Sequence, residues 1–165
     1  MEDIKNTNHN SILYIDSFKI IKATMSYAVY ILKGSFLTSD IQRRYSDFYI
    51  LRKALAAKWP CLFIPQIPPK KTTGNLDSDF LELRMRLLNH FLDRITEAKE
   101  IFNSDEVKLF ISPGDNFKSA VSNLPGHKYS ELVQKYLAEI EGYSEDVIYL
   151  NLIYYSMISL KGRKI

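Results

Sequence analysis

The chain has 165 residues, 46% of them hydrophobic and 25% charged, with a formal net charge of +3. That is enough for one globular domain, or one domain plus an extension, and its six glycines and six prolines exclude collagen-like and low-complexity chains. The single cysteine, Cys61, leaves no partner for an intrachain disulfide and fits a cytoplasmic protein. The start, with Glu2 and Asp3 before an Asn-rich stretch, does not read as a signal peptide. No window approaches the roughly 18 apolar residues of a spanning helix, so membrane contact is expected to be peripheral.

Residues 1–11 read as a flexible N-terminus. Ile12 to Lys22 alternates in part and reads as a strand, bent near Asp16-Ser17. Met25 to Leu32, dense in Tyr, Val and Ile, is a second strand. Lys33-Gly34-Ser35 reads as the hairpin turn, and Phe36 to Arg43 as the third strand of an antiparallel meander. Asp47 to Lys58 is an amphipathic helix that Trp59-Pro60 ends. Cys61 to Thr73 is a stiff, proline-rich connector. Asp77 or Ser78 caps a long helix to about Thr96, with Phe80, Leu83, Leu87, Leu88, Phe91, Leu92 and Ile95 as its apolar side. Ser104 caps a shorter helix through Phe110, and Ser112-Pro113-Gly114-Asp115 breaks the chain. Beyond it, one helical face runs from Tyr129 to Ile140, and a second, over-apolar helix runs to about Leu160. The expected fold class is α+β: a three-stranded antiparallel meander packed on a helical subdomain. A proline-rich connector runs within it and a two-helix C-terminal extension follows. The expected boundaries are a domain at 12–113 and an extension at 114–165.

The positive charge is local. Between Ile41 and Lys71 stand seven basic residues, Arg43, Arg44, Arg52, Lys53, Lys58, Lys70 and Lys71, against one acid, Asp47. From residue 114 onward six basic residues balance six acidic ones. A local field steers anionic partners. Its centre is Arg43-Arg44-Tyr45-Ser46-Asp47-Phe48, where a strand hands over to a helix. Arg captures phosphate oxygens in a bidentate way, a helix N-terminus adds partial positive charge, and an aromatic ring offers a flat wall for a sugar-like ring. The stretch suits a phosphorylated small head group and neither a nucleic-acid duplex nor a peptide. His9, His90 and His127 are far apart and no zinc spacing, nucleophile elbow or phosphate-binding glycine loop is present. No catalytic residue, metal or cofactor is expected.

RRYSDF after a third strand, then a helix, then IPPKK, then the Arg-bearing helix FLELRMRLLNHFL, resembles the phox-homology (PX) domain of sorting nexins. Three separated motifs in the right order carry the resemblance over Ile12 to Pro113. It implies a basic pocket for phosphatidylinositol 3-phosphate. By position, Arg44 would hold the 3-phosphate and Tyr45 would stack under the inositol ring. Lys70 would reach the phosphate that joins inositol to glycerol, and Arg84 would bond the ring's 4- and 5-hydroxyls. Sorting nexins with this pocket are peripheral endosomal proteins of cargo sorting.

The bland readings stay open beside these. The alternatives are Tyr45 as a core aromatic, Ser46 as a helix cap rather than a phosphate contact, and Arg84 as half of a helix ion pair with Asp79. Lys70 and Lys71 differ by one register, and Arg43 points the other way along its strand, either as an accessory contact like Lys71 or as a structural ion pair. The loop Thr72-Thr73-Gly74-Asn75, followed only by Leu76, is poor in the bulky apolar residues that the family commonly drives into lipid there. A second class of function is a protein-interaction scaffold with a degenerate lipid pocket, dimerising or binding trafficking partners through residues 127–160.

Overall fold

The computed structural model describes residues 11–59, 62–71, 74–114 and 116–125. It divides into two compact units, Met1–Leu124 and Pro125–Ile165. The expected N-terminal arm through Asn10, Cys61, and the two expected helices between 127 and 160 lie outside the described residues.

The first unit opens with an antiparallel meander of β1 (Leu13–Ile21), β2 (Tyr27–Gly34) and β3 (Ile41–Arg44), with β2 in the centre. The β1 register slips between Ile15 and Ser17, so Asp16 is the extra residue of a bulge at the bend the sequence suggested. Its carboxylate meets Lys33 at 3.1 Å, and that hydrogen bond raises the lysine's pKa. β3 begins at Ile41 rather than Phe36. Phe36 leaves the sheet to set its ring edge-on to Phe102, with centroids 5.6 Å apart. Lys33 and Gly34 end β2, and the turn follows them, closed by the Leu37 N–H donating to the Gly34 carbonyl at 3.1 Å.

α1 (Tyr45–Lys58) follows β3 directly, with Arg44 as its N-cap. The Arg44 backbone N–H donates to the Asp47 carboxylate at 2.8 Å. Asp47 therefore secures the helix entrance, and Ser46, expected as the cap, sits inside the first turn. The cap lies earlier than Ser46 because β3 runs straight into the helix, so the third helical residue reaches back. Phe48, Leu51 and Leu55 form the buried face.

α2 (Ser78–Glu97) buries Leu81, Arg84, Leu88, Phe91, Leu92 and Ile95. Leu83 and Leu87, expected on that face, are exposed. The helix is rolled so that Arg84 turns inward. The roll is held by Asn89, whose Oδ1 accepts the Ile15 N–H at 2.6 Å and whose amide donates to the Ile15 carbonyl at 3.1 Å. These bonds satisfy the outer edge of β1 at its bulge. The Ser11 hydroxyl adds a bond to Asp93 at 2.7 Å.

Three short helices complete the unit: α3 (Lys99–Phe102), α4 (Asp105–Phe110) and α5 (Phe117–Ser122). Ser104 caps α4, its Oγ accepting from the Val107 N–H at 3.4 Å. Lys58, at the end of α1, meets Glu106 of α4 at 2.8 Å, with side chains only 8% and 6% exposed. Edge-to-face rings link Phe18, Tyr30, Phe48, Phe110 and Phe117, with successive centroids 6.5, 6.0, 5.0 and 5.3 Å apart. This ladder joins the sheet to α1, α4 and α5. It also carries the compact unit through Leu124, past the Pro113 boundary read from the sequence. The architecture is α+β, a meander followed by helices, with the proline-rich connector between α1 and α2.

Candidate functional site

The β3–α1 junction, the end of the connector and the first turns of α2 enclose a cavity of about 400 Å³. Arg44, Tyr45 and Ser46 reach it from the junction, Lys70 and Lys71 from the connector, and Arg84 from α2. Six side chains named from the sequence, spread over 41 positions from Arg44 to Arg84, thus line one space. Among the described residues no Asp or Glu lines it, so four cations share the space without a carboxylate from those residues. Such a concentration of one sign in a concave, partly apolar space focuses a field on an incoming anion. Among the described residues the one salt bridge that any of these cations makes is between Lys71 and Asp77, 3.8 Å apart in an exposed pair that is worth little.

Arg43 is elsewhere. It is 3% exposed. Its Nε donates to the Phe110 carbonyl at 2.9 Å, and Nη1 donates to the carbonyls of Gln42 and Gly114, each at 2.8 Å. Nη2 donates to Leu109 and Ser112. The guanidinium also lies 5.7 Å from the Phe110 and Phe117 ring centroids. It closes the C-terminal end of α4, whose last carbonyls need donors and favour a cation. Strand alternation sends Arg43, read from the sequence as an accessory contact or a structural ion pair, to the opposite side from Arg44, away from the cavity lining and onto these carbonyls.

Arg84 is 5% exposed and lies 4.2 Å from the Tyr45 ring centroid and 4.3 Å from that of Phe80. Its Nη2 donates to the Pro69 carbonyl at 3.4 Å, while its Nε has no hydrogen-bond partner among the described residues. The Tyr45 hydroxyl donates to the Pro68 carbonyl at 2.6 Å, which fixes the ring against the connector. Burial raises the Tyr45 pKa, with the Arg84 charge opposing. The fully buried Tyr30 hydroxyl lies close to the Arg84 guanidinium and has no hydrogen-bond partner of good geometry among the described residues. Burial raises its pKa too, again against Arg84. An unpaired donor on a buried arginine is costly, and a ligand oxygen can satisfy it. The ion pair with Asp79, the bland reading of Arg84, is not among the salt bridges of the described residues.

The sequence did not single out Tyr27, Tyr30 or Met25, all of which line the cavity. The Arg44 guanidinium lies over the Tyr27 ring, 3.8 Å from its centroid. Met25, in the β1–β2 turn, is 84% exposed at the rim. The signal for Tyr27 was strand register, which the misplaced start of β3 concealed.

Among the described residues no three His, Cys, Asp or Glu side chains gather as a metal site, and no helix is long and apolar enough to cross a membrane. A family model described as the PX domain matches residues 33–114. Autophagy-related protein 20 of Gibberella zeae is 32% identical over 124 residues, covering 70% of this chain and 20% of that protein. Human sorting nexin-8 is 33% identical over 89 residues, covering 53% of this chain and 19% of its own length. The chain therefore spans about a fifth of the length of these curated relatives. An X-ray structure of a designed CISK-PX domain superposes with a TM-score of 0.56 at 31% identity, over 61% of this chain and 97% of that one. Sequence, element order and solved fold agree, and the chain belongs to the PX domain family.

Proposed function

We propose that this domain binds phosphatidylinositol 3-phosphate and recruits the protein that carries it to endosomal membranes, where it serves cargo sorting without catalysis. One observation carries the reading: Arg44, Lys70, Lys71 and Arg84 meet around one open cavity that no carboxylate of the described residues lines. Arg44 takes the 3-phosphate, and Arg84, with its unspent Nε donor, takes the ring hydroxyls. Lys70 takes the phosphate that joins ring and glycerol, and Lys71 adds charge at the mouth. Ser46 stands beside Arg44 as a further donor, and Tyr45 is a wall of the cavity that also seats Arg84. The acyl chains then leave across the rim, where Met25 stands exposed in the role the polar loop after the prolines does not fill. Names of the relatives as sorting nexins and an autophagy-related protein support the trafficking context.

An open cavity with unspent donors weighs against the degenerate-pocket reading, in which partners bind only through 127–160. Vesicle co-sedimentation tests the proposal. Each cation near an anionic surface adds on the order of 1 kcal/mol, and a charge-assisted bond to phosphate adds more. Arg44→Ala is expected to lose at least about tenfold in binding to vesicles that contain the 3-phosphate. A wild type indifferent to the 3-phosphate, or a variant that binds equally well, ends the proposal.

A further inference from the structure

We propose that Tyr27 is a positioning residue for the anion site: its ring holds the Arg44 guanidinium in the binding orientation without using any of its hydrogen-bond donors. The inference rests on the phosphate-binding reading of Arg44 and adds a residue that reading does not contain.

Register brings the two together. Arg44 pairs with Val29 across β2 and β3, and Tyr27 lies two residues along β2, on the same side of the sheet as Val29. A diagonal neighbour at that spacing is within reach of an aromatic ring and a long side chain. The guanidinium carbon sits 3.8 Å from the Tyr27 ring centroid, the shortest such separation among the described residues. Among the described residues no carboxylate or carbonyl is recorded accepting from the Arg44 guanidinium. The bond at Arg44 is made by its backbone N–H.

Arg43, next in the chain, is fixed by the opposite means. Its nitrogens are spent on five carbonyls, so it is rigid and has little left for a ligand. A free, solvent-swept arginine would be the other extreme, with every donor open but rotamer entropy to lose on binding. A ring face avoids both. It attracts the cation through the quadrupole and leaves the N–H edge pointing outward. Tyr27 lines the cavity itself, so the edge it leaves free borders the space where the phosphate would sit.

The test combines binding with a direct probe of Arg44. Binding is measured with soluble short-chain phosphatidylinositol 3-phosphate, and the Arg44 side-chain proton shifts and Nε order parameter are read by NMR in the free protein. Tyr27→Phe keeps the ring and is expected within about twofold of wild type. Tyr27→Leu keeps apolar bulk without a π face, and Tyr27→Ala removes both. Each is expected to weaken binding about two- to thirty-fold, to abolish the ring-current shift of the Arg44 protons and to lower its order parameter. Unchanged Arg44 signals in Tyr27→Leu overturn the proposal, as does wild-type affinity in that variant. A loss in Tyr27→Phe equal to that in Tyr27→Leu overturns it too, by assigning the effect to the hydroxyl. Failure of the wild type to bind the lipid refutes the functional reading instead, while the NMR signals still decide whether Tyr27 orders Arg44.

Discussion

Arg43 and Arg44 are neighbours of identical chemistry, and their replacement by alanine is expected to give opposite phenotypes. Arg43→Ala strips donors from the carbonyls of Leu109, Phe110, Ser112 and Gly114. The Phe110 bond is fully buried and its loss leaves an unsatisfied acceptor, which costs about 1–3 kcal/mol. The other three carbonyls are partly buried and recover water, so each loses only a few tenths of a kcal/mol, about 1 kcal/mol together. Packing of the side chain on Phe110 and Phe117 adds about 1 kcal/mol. The total is about 3–5 kcal/mol, a large share of the ~5–15 kcal/mol that holds a domain together. At roughly 4 °C per kcal/mol for a unit of this size, the midpoint falls by about 12–20 °C. Arg44→Ala removes an exposed side chain and is expected to melt within about 2 °C of wild type. Thermal unfolding by circular dichroism measures both, and lipid binding is measured at 10 °C, where Arg43→Ala remains largely folded. Arg43→Ala should bind short-chain phosphatidylinositol 3-phosphate with near wild-type affinity at that temperature, whereas Arg44→Ala should not. A stable Arg43→Ala, or a folded one that has lost the ligand, refutes the division of labour between them.

Glu106→Gln leaves the Lys58 ammonium buried opposite a neutral partner and is expected to cost about 3–5 kcal/mol in urea denaturation. The paired change Lys58→Met with Glu106→Leu should recover all but about 1 kcal/mol of that. Met25→Glu is expected to weaken binding to vesicles several-fold and leave affinity for the soluble headgroup unchanged; equal loss in both would place Met25 in the cavity rather than at the bilayer. The raised pKa of buried Tyr30 means the unfolded chain gives up that proton first, near the ordinary value of 10.0. Its contribution is whole below that pH and drains away as pH climbs through the higher folded value. Tyr30→Phe should therefore flatten the loss of stability above pH 10.0 in an alkaline melt series.

The parts of the fold that were legible in the sequence are those whose signal is local. Proline after Trp59 ended α1, Ser104 capped α4, and the Asp16-Ser17 break in alternation marked the bulge. What could not be read depended on distant atoms. Phe36 has strand-like neighbours, yet its ring belongs to Phe102, 66 positions on. Leu83 and Leu87 fit a helical stripe better than Arg84 does, yet Asn89 anchors the roll of α2 to the edge of β1 and turns the arginine inward. That Arg44, Lys70 and Arg84 would line one cavity was legible because charge and motif announce them. Tyr27 was not, because an aromatic in a strand has the same pattern whether it fills a core or seats a guanidinium.

The junction at Arg44 uses one residue twice. Its main chain closes the sheet against Val29 and opens α1 through the bond to Asp47, while the side chain contributes to neither. A mutation there is thus nearly neutral for folding and free to alter what the cavity admits. Ligand preference in this scaffold can drift at position 44 without passing through an unfolded intermediate on the evolutionary path.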